Sequence, residues 1–369
     1  MVKYLTLNNW LKLFDTTIIT KRDFVTNYVV KTNSKVVTLK EVIKKKKLTN
    51  TEIELLYFVF VKNKITYLTN FYNKSLKIND DLHFKNINLS LNNSHNPQYK
   101  NIIRNVYFKE LLLETKTDIS NVRPFLEVIY DLFNNNIIDY KLLTPSAIEL
   151  FKKNSFGSVL SGFYFRSSIL NPVVIYTLSK KHLKGKKLFT PTLGWSSYMY
   201  GFFNNDNVDE YVGTDVIKSV CNNTKNIATK LFPNKKIDIY CSPSELLLKN
   251  NNFTKKYKNY FDIIFFSPPY YRLELYPGSK QSTNMYKTYE EWLEKYWENT
   301  IILCNYVLKK NGKMAYIISG YDKITSFNKD MNKITKKYFK YDKKMVLNNK
   351  NIDFTKHKDT NEIIYFFTK

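Results

Sequence analysis

Phe261-Asp262-Ile263-Ile264-Phe265-Phe266-Ser267-Pro268-Pro269-Tyr270 is the stretch that decides how this chain is read. A run of strand-forming apolar residues stops abruptly at Ser-Pro-Pro-Tyr. Such a run, without polar alternation from Ile263 to Phe266, predicts a buried parallel strand of an α/β sheet. Two consecutive prolines have no N–H to donate, so the ladder cannot continue through them. They fix a rigid loop at the carboxyl end of the strand, where open α/β sheets place their ligands. The loop presents a hydroxyl, a proline carbonyl and an aromatic ring together. An exocyclic amine on a flat base needs such groups: acceptors for its N–H bonds and a ring to stack upon. The plainer alternative is a strand that ends at a proline-rich turn.

Working outward, strand and helix signals alternate from Gly157 to the end, the pattern of a parallel α/β sheet. Lys187-Leu188-Phe189 predicts a strand entering the turn Thr190-Pro191-Thr192-Leu193-Gly194-Trp195-Ser196-Ser197. Tyr211-Val212-Gly213-Thr214-Asp215 predicts a second, ending in an acid. Ile237 to Cys241 predicts a third, leading to Ser244-Glu245. Thr288-Tyr289-Glu290-Glu291 reads as a capping box that opens a long helix running toward Leu308 and stopping near Gly312. Lys313 to Ser319 and Glu362 to Phe367 predict the remaining strands, the last of them antiparallel.

The chain divides into 1–150, read as a mainly helical, basic amino-terminal domain, and 151–369, the α/β domain. Thr38-Leu39-Lys40-Glu41 is a capping box, Asn50 or Thr51 is the expected cap of the run Ile53 to Val61, and Thr144-Pro145 suits a helix start. Ile102 to Leu113 and Pro124 to Phe133 read as amphipathic helices, and Asn86 to Gln98 as a loop. Lys44 to Lys47 is a basic cluster, and Tyr4, Trp10, Tyr28, Tyr57 and Tyr67 interleave with lysines. Such runs are more often a solvated face and a core than a nucleic-acid surface.

The formal charge of +26 favours an anionic partner, nucleic acid before a membrane or an acidic protein. Only five of the 58 basic residues are Arg, the bias of an AT-rich coding sequence, so part of this charge follows codon usage. Cys221, Cys241 and Cys304 are scattered, as are the four His, so neither a disulfide framework nor a metal cluster is expected. An intracellular location, cytoplasmic or in a viral replication compartment, is the expectation. The amino terminus is not patterned as a signal peptide, and no stretch approaches a membrane span.

Ser267-Pro268-Pro269-Tyr270 resembles the catalytic loop of the S-adenosylmethionine-dependent amino-methyltransferases, the N6-adenine and N4-cytosine DNA methyltransferases. Their signature is Asp, Asn or Ser, then Pro-Pro, then an aromatic. The resemblance runs from about Phe156 to Lys369. The polar insert Arg272 to Gly278 with Gln281-Ser282 is similar to active-site loops of phage and large-virus members.

The resemblance implies a class I methyltransferase-like (Rossmann-like) sheet and S-adenosylmethionine as cofactor. Ser267, Pro268, Pro269 and Tyr270 would be catalytic; Thr190, Pro191, Gly194 and Trp195 would form the turn beside the methionine moiety. Thr190 stands where the family commonly has Asp, and Ser196 where it has a second Gly. Asp215 would accept the ribose hydroxyls, or else cap the following helix. Ser244 and Glu245 would meet the adenine, or Glu245 a helix end. Phe163 to Pro172 resembles the segment folded over the methionine end, with helix capping by Ser168 or Asn171 the plainer account. The target is expected to be DNA, with Ser267 leaning toward cytosine, and no metal is required. RNA or protein-amine methylation, and a catalytically silent nucleic-acid-binding or structural relative, are the other readings.

Overall fold

The computed structural model describes residues 19–62, 84, 87–107, 109–117, 123, 125–154, 159, 163–164, 167–320, 324–349 and 362–369. Expectations placed on Tyr4, Trp10, Tyr67, Pro124, Gly157, Phe165 and Arg166 lie outside these residues. Two compact units form: 1–77 with 108–167 and 274–276, and 78–107 with 168–273 and 277–369.

The first unit is helical, and it also holds a small sheet that the sequence reading missed. Strands β1 (Val29–Lys31) and β2 (Val36–Thr38) are antiparallel, and β1 runs parallel to β3 (Ile137–Asp139). At three residues each, they are too short to show alternation. Thr20 with Asp23, Thr38 with Glu41 and Thr49 with Glu52 form capping boxes. Thr49, and neither Asn50 nor Thr51, is therefore the cap of the third helix: its hydroxyl reaches the Glu52 N–H and Glu52 reaches back. Lys44 to Lys46 lie in the last turn of Leu39–Lys46, where cations complement the helix dipole. Arg123 bridges Asp131 and Asp139, with Asp139 Oδ2 at 3.0 Å.

The single helix expected over 102–113 is broken. Pro97–Val106 ends at Tyr107, and a π-helical turn, Lys109–Glu114, follows. Thr144 caps Pro145–Lys152 as expected, with Pro145 in the first turn.

The second unit is built on seven strands: β4 (Lys187–Thr190), β5 (Glu210–Asp215), β6 (Lys236–Cys241), β7 (Phe261–Phe266), β8 (Leu308–Ser319), β9 (Lys340–Val346) and β10 (Glu362–Thr368). Their spatial order is β9-β10-β8-β7-β4-β5-β6. All neighbours are parallel except β10, which is antiparallel to both β8 and β9. This is the class I methyltransferase-like sheet. β7 is central, and five of its six residues are buried, which explains its apolar sequence; the exception, Asp262, is part-exposed and accepts from the Lys186 and Lys187 N–H groups at 3.0 Å. From β4 the chain builds β5 and β6 on one side, then crosses to β7 on the other. The carboxyl ends of β4 and β7 therefore flank the topological switch point, the place for a ligand.

β9 was missed in the sequence because nothing in Lys-Tyr-Asp-Lys-Lys-Met-Val alternates. It is an edge strand whose residues are mostly exposed, and its lysines suit such an edge. The helix after Thr288 ends at Val307, and Leu308 to Gly312 belong to β8 instead of the helix. Among the described residues, no helix is long and apolar enough to cross a membrane.

Candidate active site

The turn after β4 is left-handed for three residues running: Gly194 (φ 51°), Trp195 (58°) and Ser196 (63°). Each non-glycine residue there costs about 1–2 kcal/mol. Gly194 is required for a second reason. A Cβ on it would lie 2.2 Å from the Tyr198 ring. That ring packs edge-on against Phe265 at 5.2 Å, and its hydroxyl accepts the Ser267 N–H at 3.1 Å. Glycine in one loop thus makes room for the tyrosine that holds the other.

Ser196 occupies a glycine-like backbone, and its side chain supplies the compensation. Its hydroxyl lies fully buried between the hydroxyls of Tyr107 and Thr224, the latter at 2.6 Å. Ser197 Oγ donates to the Gly194 carbonyl at 2.6 Å. Thr190 is also buried, with its hydroxyl 2.5 Å from Tyr211 Oη. Gly213 beside it has no space for a Cβ, which would sit 2.8 Å from Thr190 Oγ1. Pro191 and Trp195 are buried in the same turn.

Asp215 ends β5 half-buried. One carboxylate oxygen accepts Leu193 N–H at 3.3 Å, the other Ile217 N–H at 3.0 Å. Burial raises its pKa, and these backbone N–H groups pull the other way. The acid therefore fixes the turn after β4 to the end of β5.

Ser244 and Glu245 follow β6, in the turn Ser244–Lys249, and both are buried. Glu245 makes no helix cap. Its Oε1 accepts from Tyr286 Oη at 3.2 Å, and Ser244 Oγ lies 3.2 Å from Thr300 Oγ1. Burial pushes the Glu245 carboxyl up to about 7, against the weaker pull of Tyr286 and Ser244. Because the folded pKa exceeds the ordinary 4.5, the folded state holds the extra proton between pH 4.5 and 7. The penalty for ionising is absent below that window and complete above it, so stability falls as pH rises. Glu245→Gln is expected to unfold like the parent at pH 5 and to be more stable at pH 8, by roughly 2–3 kcal/mol. Denaturant unfolding at the two pH values checks this; an equal difference at both would place the Glu245 carboxyl in an ordinary environment.

The proline loop leaves β7 beside this turn. Thr192 Oγ1 donates to the Ser267 carbonyl at 3.2 Å, joining the two loops. Ser267 Oγ donates to the Ile317 carbonyl of β8 at 3.1 Å. With its N–H given to Tyr198 and its O–H to Ile317, Ser267 Oγ is left with acceptor capacity. Tyr270 meets the fully buried Phe327 at 5.6 Å and 67°, and Phe327 lies against Trp292 at 5.8 Å and 29°. Trp292 Nε1 donates to Ser282 Oγ, at the far end of the polar insert.

Within that insert, Glu274–Leu275 pairs with Lys116–Thr117. Asn171 caps Pro172–Lys181, as its plainer account had it. Among the described residues, no group of three or more His, Cys, Asp or Glu is placed to hold a metal ion.

Sequence reasoning did not single out Tyr107, Tyr198, Thr224 or Phe327, which position the turn and the loop. Each lies on a helix or at a helix end and looks like core, and only the fold brings it to a strand end.

No family model matches the chain, and no curated protein matches it by sequence. Solved structures are similar to part of the chain at low identity. The N-methyltransferase NodS from Bradyrhizobium japonicum, in complex with S-adenosylhomocysteine, is 10% identical with a TM-score of 0.35, over 52% of this chain and 81% of its own. A S-adenosylmethionine-dependent methyltransferase from Methanosarcina mazei is 9% identical with a TM-score of 0.35, over 52% and 95%. A geranyl diphosphate methyltransferase is 8% identical with a TM-score of 0.36, over 54% and 78%.

Proposed function

We propose that this chain transfers a methyl group from S-adenosylmethionine to an exocyclic base amine in DNA, N4 of cytosine or N6 of adenine. The observation that carries the reading is Ser267-Pro268-Pro269-Tyr270 at the carboxyl end of the central strand, with both Ser267 protons already engaged. A loop built to accept N–H bonds suits an amine. The adjoining acid at the end of β5 suits a ribose, and the buried Ser244-Glu245 pair suits a purine edge.

Bound there, S-adenosylmethionine supplies an activated methyl, so what is asked of the protein is placement. The base amine is a weak nucleophile because its lone pair is delocalised into the ring. Ser267 Oγ and the Pro268 carbonyl accept its two N–H bonds, favouring a pyramidal nitrogen and the positive charge that develops on transfer. Tyr270, steadied by Phe327, stacks on a base that is flipped from a duplex or arrives single-stranded. The turn at Gly194 and the carboxylate of Asp215 would hold the cofactor.

The deciding experiment is a mass spectrum of nucleosides from DNA and RNA of a host producing the protein. N4-methylcytosine or N6-methyladenine in the DNA, absent with an inactive variant, supports the reading. The modification in RNA alone moves the substrate, and none in either removes the assignment. Affinity for DNA is expected to fall steeply with salt, by about 0.9 logarithmic units per decade of salt for each phosphate neutralised. A binding titration at several salt concentrations measures it, and a flat slope would separate the +26 charge from any binding surface.

A further inference from the structure

The helix Phe327–Thr335 and the edge strand β9 carry an excess of positive charge. Residues 326–346 hold seven Lys and two Asp, about three times the net charge density of the whole chain. Codon bias toward lysine acts on the whole sequence and does not account for a local excess. All seven lysines are exposed. Among the described residues, Lys337 alone of the seven has a carboxylate within ion-pair distance, Glu298 at 2.9 Å. Both acids are engaged elsewhere. Asp330 accepts from Tyr289 Oη at 3.2 Å and Ser326 Oγ at 2.6 Å, and Asp342 pairs with Lys313 at 3.0 Å.

These lysines form a continuous track. Phe327, Met331 and Thr335 are the buried stripe of the helix, and Lys329, Lys333 and Lys336 recur at i, i+4 and i+7 on its outer side. Lys336 Nζ lies over the Tyr341 ring at 4.9 Å, which carries the track from helix to strand. Tyr341 pairs with Phe367 and Lys344 with Tyr365, two residues apart on β10, so Tyr341 and Lys344 share one face. That face is the one the helix covers, because Phe367 stacks on Tyr316 at 5.2 Å and Tyr316 Oη meets Asn332 and Thr335. Tyr341 is a large ring left exposed between two lysines. Lysines on an edge strand also deter pairing with another strand. Those on the helix present no strand edge and have no such role.

The track begins at the proline loop. Phe327, the first residue of the helix, lies against the Tyr270 ring at 5.6 Å. From Lys329 to Lys336 the helix rises about 10 Å, the spacing of about three phosphates along one DNA strand. A line of cations with an exposed ring suits a linear polyanion better than a compact acidic patch. We infer that Lys329, Lys333, Lys336 and Lys344, with Tyr341, hold the phosphate backbone of the duplex beside the base at Tyr270. This rests on the DNA reading above, and the test separates the two.

The test is binding of a short DNA duplex by the full chain over a range of salt concentrations, with thermal unfolding in parallel. Lys333→Gln, Lys336→Gln and Lys344→Gln together should lower the log–log slope by about 2.7 and leave the unfolding temperature at the parental value. Lys333→Arg, Lys336→Arg and Lys344→Arg together should keep the parental slope. Lys44→Gln, Lys45→Gln and Lys46→Gln, exposed at the end of Leu39–Lys46 in the first unit, should lower the slope far less. A parental slope in the first triple variant overturns the inference and leaves the DNA reading standing. Equal losses in the two glutamine variants overturn it too, by spreading the contact over the whole charge. Loss of the slope in the arginine variant overturns it by showing that something other than charge is read. A loss seen with single-stranded RNA and not with the duplex overturns it by moving the partner. A parent with a flat slope removes the DNA reading and the inference together.

Discussion

Tyr270→Ala is expected to lower methyl transfer about a hundredfold, the scale of a misplaced reacting group, while leaving S-adenosylhomocysteine affinity nearly unchanged. The ring stands at the loop, against Phe327, and the turn holding Gly194 is joined to that loop by the Thr192–Ser267 bond. Losing the ring frees the flipped base without touching the sulfonium side. Ser267→Ala should reduce turnover by about 10²-fold, because the acceptor matters most as the amine gains charge. Its stability cost is smaller, about 1 kcal/mol for the lost bond to Ile317. Single-turnover kinetics on a short duplex, with calorimetry in parallel, reads both effects. Parental rates in both variants would reduce Ser267-Pro268-Pro269-Tyr270 to a structural turn and end the assignment.

The second large effect is expected at Asp215. Asp215→Ala removes the acceptor for Leu193 and Ile217 N–H and the proposed partner of the ribose. Cofactor affinity should fall by about 1–3 kcal/mol, the loss of charge-assisted bonds. The ligand-free protein should also lose stability, because two backbone donors are left half-buried. Asp215→Asn separates the two roles, since its one carbonyl oxygen can still accept from Ile217. That variant should recover most of the stability and little of the affinity. If the alanine variant binds S-adenosylhomocysteine as the parent does, Asp215 only shapes the turn.

Much of the second unit was legible in the sequence because burial writes itself into composition. β7 is buried on both faces, so Phe261 to Phe266 is an apolar run, and the prolines mark its end. β4 to β6 carry weaker versions of the same signal. β9 was invisible for the converse reason: an exposed edge strand has no apolar face to display. β1 to β3 were too short to show a period. The capping box at Thr38 and Glu41 was readable, whereas the equally spaced Thr49 and Glu52 were passed over for the neighbouring Asn50 or Thr51.

The strand-end groups Thr190, Gly194, Asp215, Ser244, Glu245 and Ser267 could be picked out because each follows a readable strand. Their partners could not. Tyr107, Tyr198 and Phe327 reach the site from helices distant in sequence, and aromatic residues at helical spacing look the same whether they fill a core or face a ligand. The division of the chain carried no signal either. Residues 78–107 group with the α/β unit through space, which a boundary drawn along the sequence cannot express.

The hydroxyl cluster at Ser196 has a consequence for the history of the turn. Its backbone conformation suits glycine, yet its side chain is bonded to residues 89 and 28 positions away. Ser196→Gly would relax the backbone and, in the same step, deprive Tyr107 and Thr224 of a buried partner. The serine and glycine forms of this loop are therefore alternative solutions separated by an unfavourable single step. Changes at 107 and 224 that remove the hydroxyls make the exchange permissible, and the order of substitution decides whether each intermediate folds. Ser196, a departure when the loop is read alone, is one member of a set that mutates together or not at all.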